Sequence, residues 1–266
     1  MNRAADPWSR LPAAVRYTLL TLALLAVWQA YVSLAHVSPL LFASPVAVAR
    51  ALGAGIASGK LVTATVATLE VLIGGLAIGA LLGFALASFA SFSRFGQDVL
   101  GVLSAIFNPL PSIAILPLAI IWFGLRPQSI VFVVALATIW PVALSTDNGF
   151  RTISTTTHLA ARNLGLRGWK LVSDVLLPAA LPSIVTGLKS AWAFGWRTVV
   201  AAELIFGVAG SAGGLGWYIN NARYFLQTAD IFAGLVVISV LGIGVEALFG
   251  LLERRTVVRW GMKRAA

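Results

Sequence analysis

Apolar runs long enough to cross a membrane alternate along this chain with short polar interruptions. Roughly 20 residues cross the hydrocarbon core, and on that measure the pattern predicts six spans: 17–37, 61–89, 99–123, 128–146, 181–206 and 231–252. The second run carries Gly74, Gly75, Gly79 and Gly83, small residues that let a neighbouring backbone come close. The third holds Pro109, Pro111 and Pro117, so it cannot be one straight helix. Residues 38–59 read as a loop with a weakly amphipathic piece after Ser44 and Pro45, and SFSRFGQD reads as a short turn. A loop rich in Gly, Ala and Ser, GVAGSAGGLG, precedes the last span.

The longest polar interruption is TTTHLAARNLGLRGWKLVSDVLLPAALP, residues 155–182. Thr155, Thr156 and Thr157 are candidate N-caps for a short helix running to Leu164. Gly165 can end that helix in the left-handed conformation that a residue with a Cβ resists. A second short helix passes through Trp169 and Val172, and Pro178 and Pro182 mark its exit into the fifth span. The product is a helix–turn–helix knob over about 150–178. Its shape suits docking to a soluble partner.

Composition fixes the class. The chain is 59% hydrophobic and 11% charged, against roughly 25% charged for a soluble domain. An all-α integral membrane protein is expected, with a segment at 1–16, a transmembrane domain at 17–252 and a basic tail at 253–266. The apolar run after the basic N-terminus is too long for a signal-peptide core. The chain has no cysteine, which excludes disulfides and thiolate metal sites. Orientation follows from Lys and Arg. With both ends inside, the inner segments hold 13 of them: Arg3, Arg10, Arg16, Arg94, Arg151, Arg162, Arg167, Lys170, Arg254, Arg255, Arg259, Lys263 and Arg264. The outer segments hold four: Arg50, Lys60, Arg126 and Arg223. This gives a multi-pass membrane protein with both termini cytoplasmic. The net charge of +10 then matches anionic lipid headgroups, and no nucleic-acid partner is needed to explain it.

Catalytic chemistry is absent from the pattern. The nearest approach to a Walker A loop, GAGIASGKL, has Ala54 at the first Gly position and Leu61 at the Ser/Thr position. His36 and His158 have no credible Ser or Asp partner in the sequence, so no catalytic, cofactor or metal site is expected here. Ionisable residues inside the spans are a different matter, because their cost in lipid makes them functional candidates. These are Glu70, Lys189, Arg197, Glu203 and Glu246. At about 100° per residue, Lys189, Trp192, Trp196, Arg197 and Glu203 fall within an arc of roughly 140°. Gly187, Ala191, Gly195 and Ala202 lie on the other side. One face reads as a translocation pathway and the other as packing, while the same charges would also serve as ion pairs fixing helix order. Depth counting pairs Glu70 with Arg197 and Lys189 with Glu246. Asn108 and Ser112, beside the proline break, are candidate solute contacts.

The knob's spacing resembles the loop by which permeases of ABC-type importers contact their ATPase subunit. That pattern is Glu-Ala-Ala, three residues, Gly, nine residues, Ile, one residue, Leu-Pro. Ala160, Ala161, Gly165, Leu177 and Pro178 match, Val175 replaces the Ile, and Leu159 stands where the pattern has Glu. The stretches NPLPSIAILPLAIIWFG, GLKSAWAFGWRTVVAAELIFGVAGSAGGLGWYI and LERRTVVRWGMKR are similar to those of the nitrate, sulfonate and taurine permease group. The likeness covers most of the chain from about Pro45 onward.

The resemblance implies a type I ABC importer permease fold with six transmembrane helices, the knob being its cytoplasmic coupling loop. It implies a second copy of the permease, most simply as a homodimer, two ATPase subunits that bind ATP and Mg, and a periplasmic or extracellular solute-binding protein. It also implies a small anionic or zwitterionic cargo such as a sulfonate, taurine or nitrate. ATP hydrolysis would then lie on a separate polypeptide, leaving this chain without enzymatic activity. The alternative is a secondary transporter or channel for small anions. Either would carry intramembrane charges but would not need the knob.

Overall fold

Small polar residues and prolines set where the apolar runs begin and end as helices. The computed structural model describes residues 11–206 and 213–253, so the basic ends of the chain and residues 207–212 of the glycine-rich loop lie outside the described residues. Helix α1 (Ala13–Leu34) is followed by α2 (Pro45–Ala57), whose N-cap Ser44 accepts from the Ala47 N–H at 3.2 Å. Then come α3 (Lys60–Phe92) and α4 (Arg94–Phe107), the latter capped by Ser93 accepting from the Gly96 N–H at 3.0 Å. A 3-10 turn at Ser112–Ile115 leads into α5 (Leu116–Phe123), and α6 (Pro127–Arg151) follows. The knob is α7 (Thr155–Asn163), α8 (Trp169–Leu171), a wide π turn at Val172–Leu176, and α9 (Leu177–Ala179). The last elements are α10 (Leu181–Phe206), α11 (Leu215–Tyr224) and α12 (Thr228–Glu253).

Helices α1, α3, α6 and α12 are each long and apolar enough to cross a membrane. Two bent pairs complete the set. Helix α4 and residues Ser112–Phe123 meet at 83°, and Trp169–Ala179 meets α10 at 78°. Counting each pair as one span gives six. The prolines at 109 and 111 cause the first bend, since neither supplies an N–H to continue α4.

Three expectations need correcting. The amphipathic piece after Ser44 is a full helix of 13 residues, because Ser44 caps it and Pro45 occupies the first helical position. The turn SFSRFGQD shrinks to the single extended residue Ser93, whose cap lets α4 start at Arg94 instead of residue 99. The loop before the last span contains α11, and α12 starts at Thr228 instead of residue 231.

The core is a seam where α3 and α10 flank α6. Gly75, Gly79 and Gly83 recur every four residues and press on α6. A Cβ on Gly75 would lie 2.5 Å from Val134 Cγ1, one on Gly83 would lie 2.8 Å from the Ile139 carbonyl, and Gly79 sits against Thr138. Gly74 contributes little, with only Val131 nearby at 3.8 Å. On the α10 side, a Cβ on Gly187 would meet Ser145 at 2.7 Å, and Ala191 and Ala202 are fully buried. The small-residue face of α10 is therefore its packing face. By contrast α1 buries no residue and is anchored through Trp28, whose ring meets Phe42 and Phe232 at 5.6 and 5.5 Å.

A Leu at position 79 cannot fit without parting α3 from α6. Gly79→Leu should destabilise the detergent-solubilised protein by about 3 kcal/mol or more, at or above the usual cost of overpacking. Gly101→Ala, inside α4 and with nothing within 4 Å of the added Cβ, should raise the thermal unfolding midpoint slightly, because alanine favours a helix interior over glycine by about 0.5–1 kcal/mol.

Candidate functional site

The knob owes its shape to two glycines. Ser154, not Thr155, Thr156 or Thr157, caps α7, its hydroxyl accepting from the Thr157 N–H at 3.2 Å. At the other end Gly165 has φ +79°. The Leu166 N–H bonds the Ala161 carbonyl and the Gly165 N–H bonds the Arg162 carbonyl, both at 3.0 Å, which is a Schellman closure. Gly168 takes a second positive φ, +55°, and turns the chain into α8. Val172, Leu176 and Ala180 are buried with Phe150, Ala87 and Ile184, so the knob's base is fused to the ends of α3, α6 and α10.

The motif residues divide by exposure. Ala161 is buried, and Val175 and Leu177 are half-buried. Leu159, Ala160 and Pro178 are exposed. Leu177 and Pro178 also line an apolar groove of about 700 Å³ against Phe84 and Phe89 of α3. Two apolar residues outside the motif stand furthest into solvent, Leu164 at 79% and Trp169 at 64%.

The single pathway face expected on α10 is split four ways. Arg197 lines a cavity of about 470 Å³ together with Asn108, Ser112, Trp140, Phe194 and Thr198. Asn108 and Ser112 were singled out by the proline break, and the structure brings them to Arg197. Trp140, Phe194 and Thr198 carried no signal in the sequence. Lys189 turns toward α12, where its Nζ lies 3.2 Å from Glu246 Oε1. Trp192 and Trp196 stack with centroids 5.9 Å apart and planes 8° from parallel. Trp196 is 8% exposed and belongs to the core, so it cannot line an open path.

Glu203 is the clearest departure. It is fully buried and accepts from the Thr68 hydroxyl at 2.9 and 3.0 Å and from the Gly216 N–H at 2.9 Å. The Leu215 N–H in turn donates to the Thr68 oxygen at 2.8 Å. Both groups are thus satisfied by the start of α11, where orphan N–H groups need acceptors. Gly214 and Gly216 are what admit the carboxylate, since a Cβ on either would collide with the Glu203 side chain. Glu203 is therefore a clasp holding α11 to α3 and α10, not a pathway residue.

The pair Glu70–Arg197 does not form. The ion pairs among the described residues are Arg151–Asp147 and Lys189–Glu246. Depth alone misled, because Thr68 faces Glu203 and Glu70 lies two residues on, about 200° around the helix. Glu70 points away from α10 and is exposed.

Comparison with known proteins gives one answer. Residues 75–258 match the family model described as the binding-protein-dependent transport system inner membrane component. The chain is 32% identical to an aliphatic sulfonates transport permease protein, SsuC, of Bacillus subtilis strain 168, over 96% of this chain and 93% of that one. It is 34% identical to the Escherichia coli K12 protein of the same name, over 96% and 95%. It is 32% identical to the taurine transport system permease protein TauC of E. coli K12, over 87% and 85%. Among solved structures, an amino acid ABC transporter matches with a TM-score of 0.61 at 19% identity, covering 77% of this chain and 97% of that one. At that identity it supports the fold.

Removing the Glu203 carboxylate strands the Gly216 N–H and the Thr68 hydroxyl in a dry site, at about 1–3 kcal/mol for each orphan. Glu203→Ala should sharply reduce folded protein by size-exclusion and thermal melting. Glu203→Gln, which keeps an acceptor oxygen, should retain most of it.

Proposed function

The chain belongs to the family of binding-protein-dependent transport system inner membrane components and is the permease subunit of an ABC importer; from that premise we propose that α7–α9 dock a cytoplasmic ATPase and that the bundle passes a small anionic or zwitterionic solute. The observation that carries this reading is the knob. It projects Leu159, Leu164 and Trp169, with Arg162, Arg167 and Lys170 exposed among them. Its base is packed into α3, α6 and α10. A push on the exposed surface therefore reaches the helices that wall the Arg197 cavity.

The mechanism follows from that connection. Two copies of this chain pair in the membrane, and each knob engages one ATPase subunit. Those subunits bind ATP and Mg and carry out the hydrolysis. Their closure moves the knobs and opens the bundle outward to receive solute from a binding protein, and their reset opens it inward. Leu159 stands where the family pattern has Glu, so this contact is made through apolar surface where others use a carboxylate. The knob lies in the cytoplasm on the basic side of the membrane. Among the relatives, the two SsuC proteins and TauC carry names of sulfonates, aliphatic sulfonates and taurine, which supports a sulfonate cargo.

Gly165 gives the sharpest test. Nothing lies within 4 Å of a Cβ added there, so a substitution acts only through the backbone. Val should resist a φ of +79° by about 1–2 kcal/mol, whereas Asn tolerates that conformation. Gly165→Val should lose ATPase co-purification and solute uptake at near-normal membrane levels, and Gly165→Asn should keep both. Retention of both by Gly165→Val would remove the knob from docking.

A further inference from the structure

We propose that the cavity between residues 108–112, α6 and α10 is an intramembrane binding site for an alkanesulfonate, a tetrahedral anionic head on a short apolar tail. This rests on the importer reading above and gives its pathway a specific ligand chemistry.

The cavity wall is rich in hydrogen-bond donors. Arg197 lines it and makes no ion pair or hydrogen bond among the described residues. Trp140 lines it too, is 6% exposed, and its buried indole N–H has no acceptor among the described residues. The amide of Asn108 and the hydroxyls of Ser112 and Thr198 add further donors. No Asp or Glu is among the lining residues. A guanidinium without a counter-charge at membrane depth is costly, and a bound anion supplies that charge. The planar guanidinium fork pairs with two oxygens of one head group, leaving the third for the indole N–H.

The rest of the wall selects the tail. Phe194, Leu110, Ile113, Pro109 and Pro141 are apolar and suit a chain of a few methylenes. The volume, about 470 Å³, falls in the range of small-molecule sites. An ammonium group on the far end of the ligand finds no carboxylate here. Among the lining residues it meets only neutral acceptors such as the Ala137 carbonyl, whose usual donor four residues on is replaced by Pro141. The cavity therefore favours a simple alkanesulfonate over taurine, and both over sulfate, which leaves the apolar wall bare.

Butanesulfonate binding to the purified permease–ATPase complex, in nanodiscs without any binding protein, tests the site by calorimetry. Saturable binding is expected, with taurine and sulfate weaker. Arg197→Gln should weaken it about tenfold or more, as loss of a charged hydrogen bond requires. Arg197→Lys should fall between the two. Trp140→Phe, which can keep the ring stack with Phe107, should cost about threefold. Absence of saturable binding in an intact complex overturns the site alone. So does equal binding by correctly assembled Arg197→Gln or Arg197→Lys. Failure of the wild-type chain to hold any ATPase would instead overturn the importer reading.

Discussion

Backbone contact between α3 and α6 is the constraint on which the rest of this structure depends. In lipid, helices gain little from hiding apolar side chains, and close van der Waals packing has to hold them together. Glycine at 75, 79 and 83 brings α3 onto the carbonyls and β-branched side chains of α6. Gly187 and Gly195 do the same for α10. With that seam in place, α6 becomes a fixed central post. The other helices can then bend, tilt or stand clear of it.

What the seam supports is irregular backbone at membrane depth, which is tolerated only against protein or a polar cavity. The break at residues 108–112 and the Pro141 interruption of α6 open onto one cavity, and Arg197 projects there from α10. At one end of the bundle, Glu203 and Thr68 use their polar groups to close the start of α11. At the other, Phe150, Val172 and Ile184 bind the knob to the same three helices. The buried Glu203 carboxylate and the Arg197 guanidinium, which has no ion-pair partner among the described residues, lie six residues apart on one helix. Glu203 holds α11 to the bundle, and Arg197 lines the cavity.

Much of this was legible in the sequence because membrane spans announce themselves by length and apolarity. The knob was legible as well, since Gly165 and Pro178 carry a backbone meaning independent of partners. The true cap was one residue earlier than the threonine run suggested, and a cap is decided by which hydroxyl meets the N–H of Thr157. Helix α11 went unseen because its first turn hides in a glycine-rich stretch, of which Gly214 and Gly216 admit Glu203. The α10 face failed for a geometric reason. An arc of 140° is wide enough to face several neighbours, and Arg197 sits at its edge, about 100° from Trp196. Helical periodicity places residues around an axis but says nothing of which partner stands at each angle. The Lys189–Glu246 contact followed from depth only because both side chains also share an angle.

The central claim is that this bundle moves solute only when an ATPase drives it from the knob. Uptake of labelled alkanesulfonate into proteoliposomes holding the chain, its partner ATPase and its binding protein measures that most directly. Uptake that requires ATP, requires both partners and is indifferent to proton and sodium gradients is the predicted result. Uptake by the chain alone, driven by an ion gradient without ATP, would contradict it.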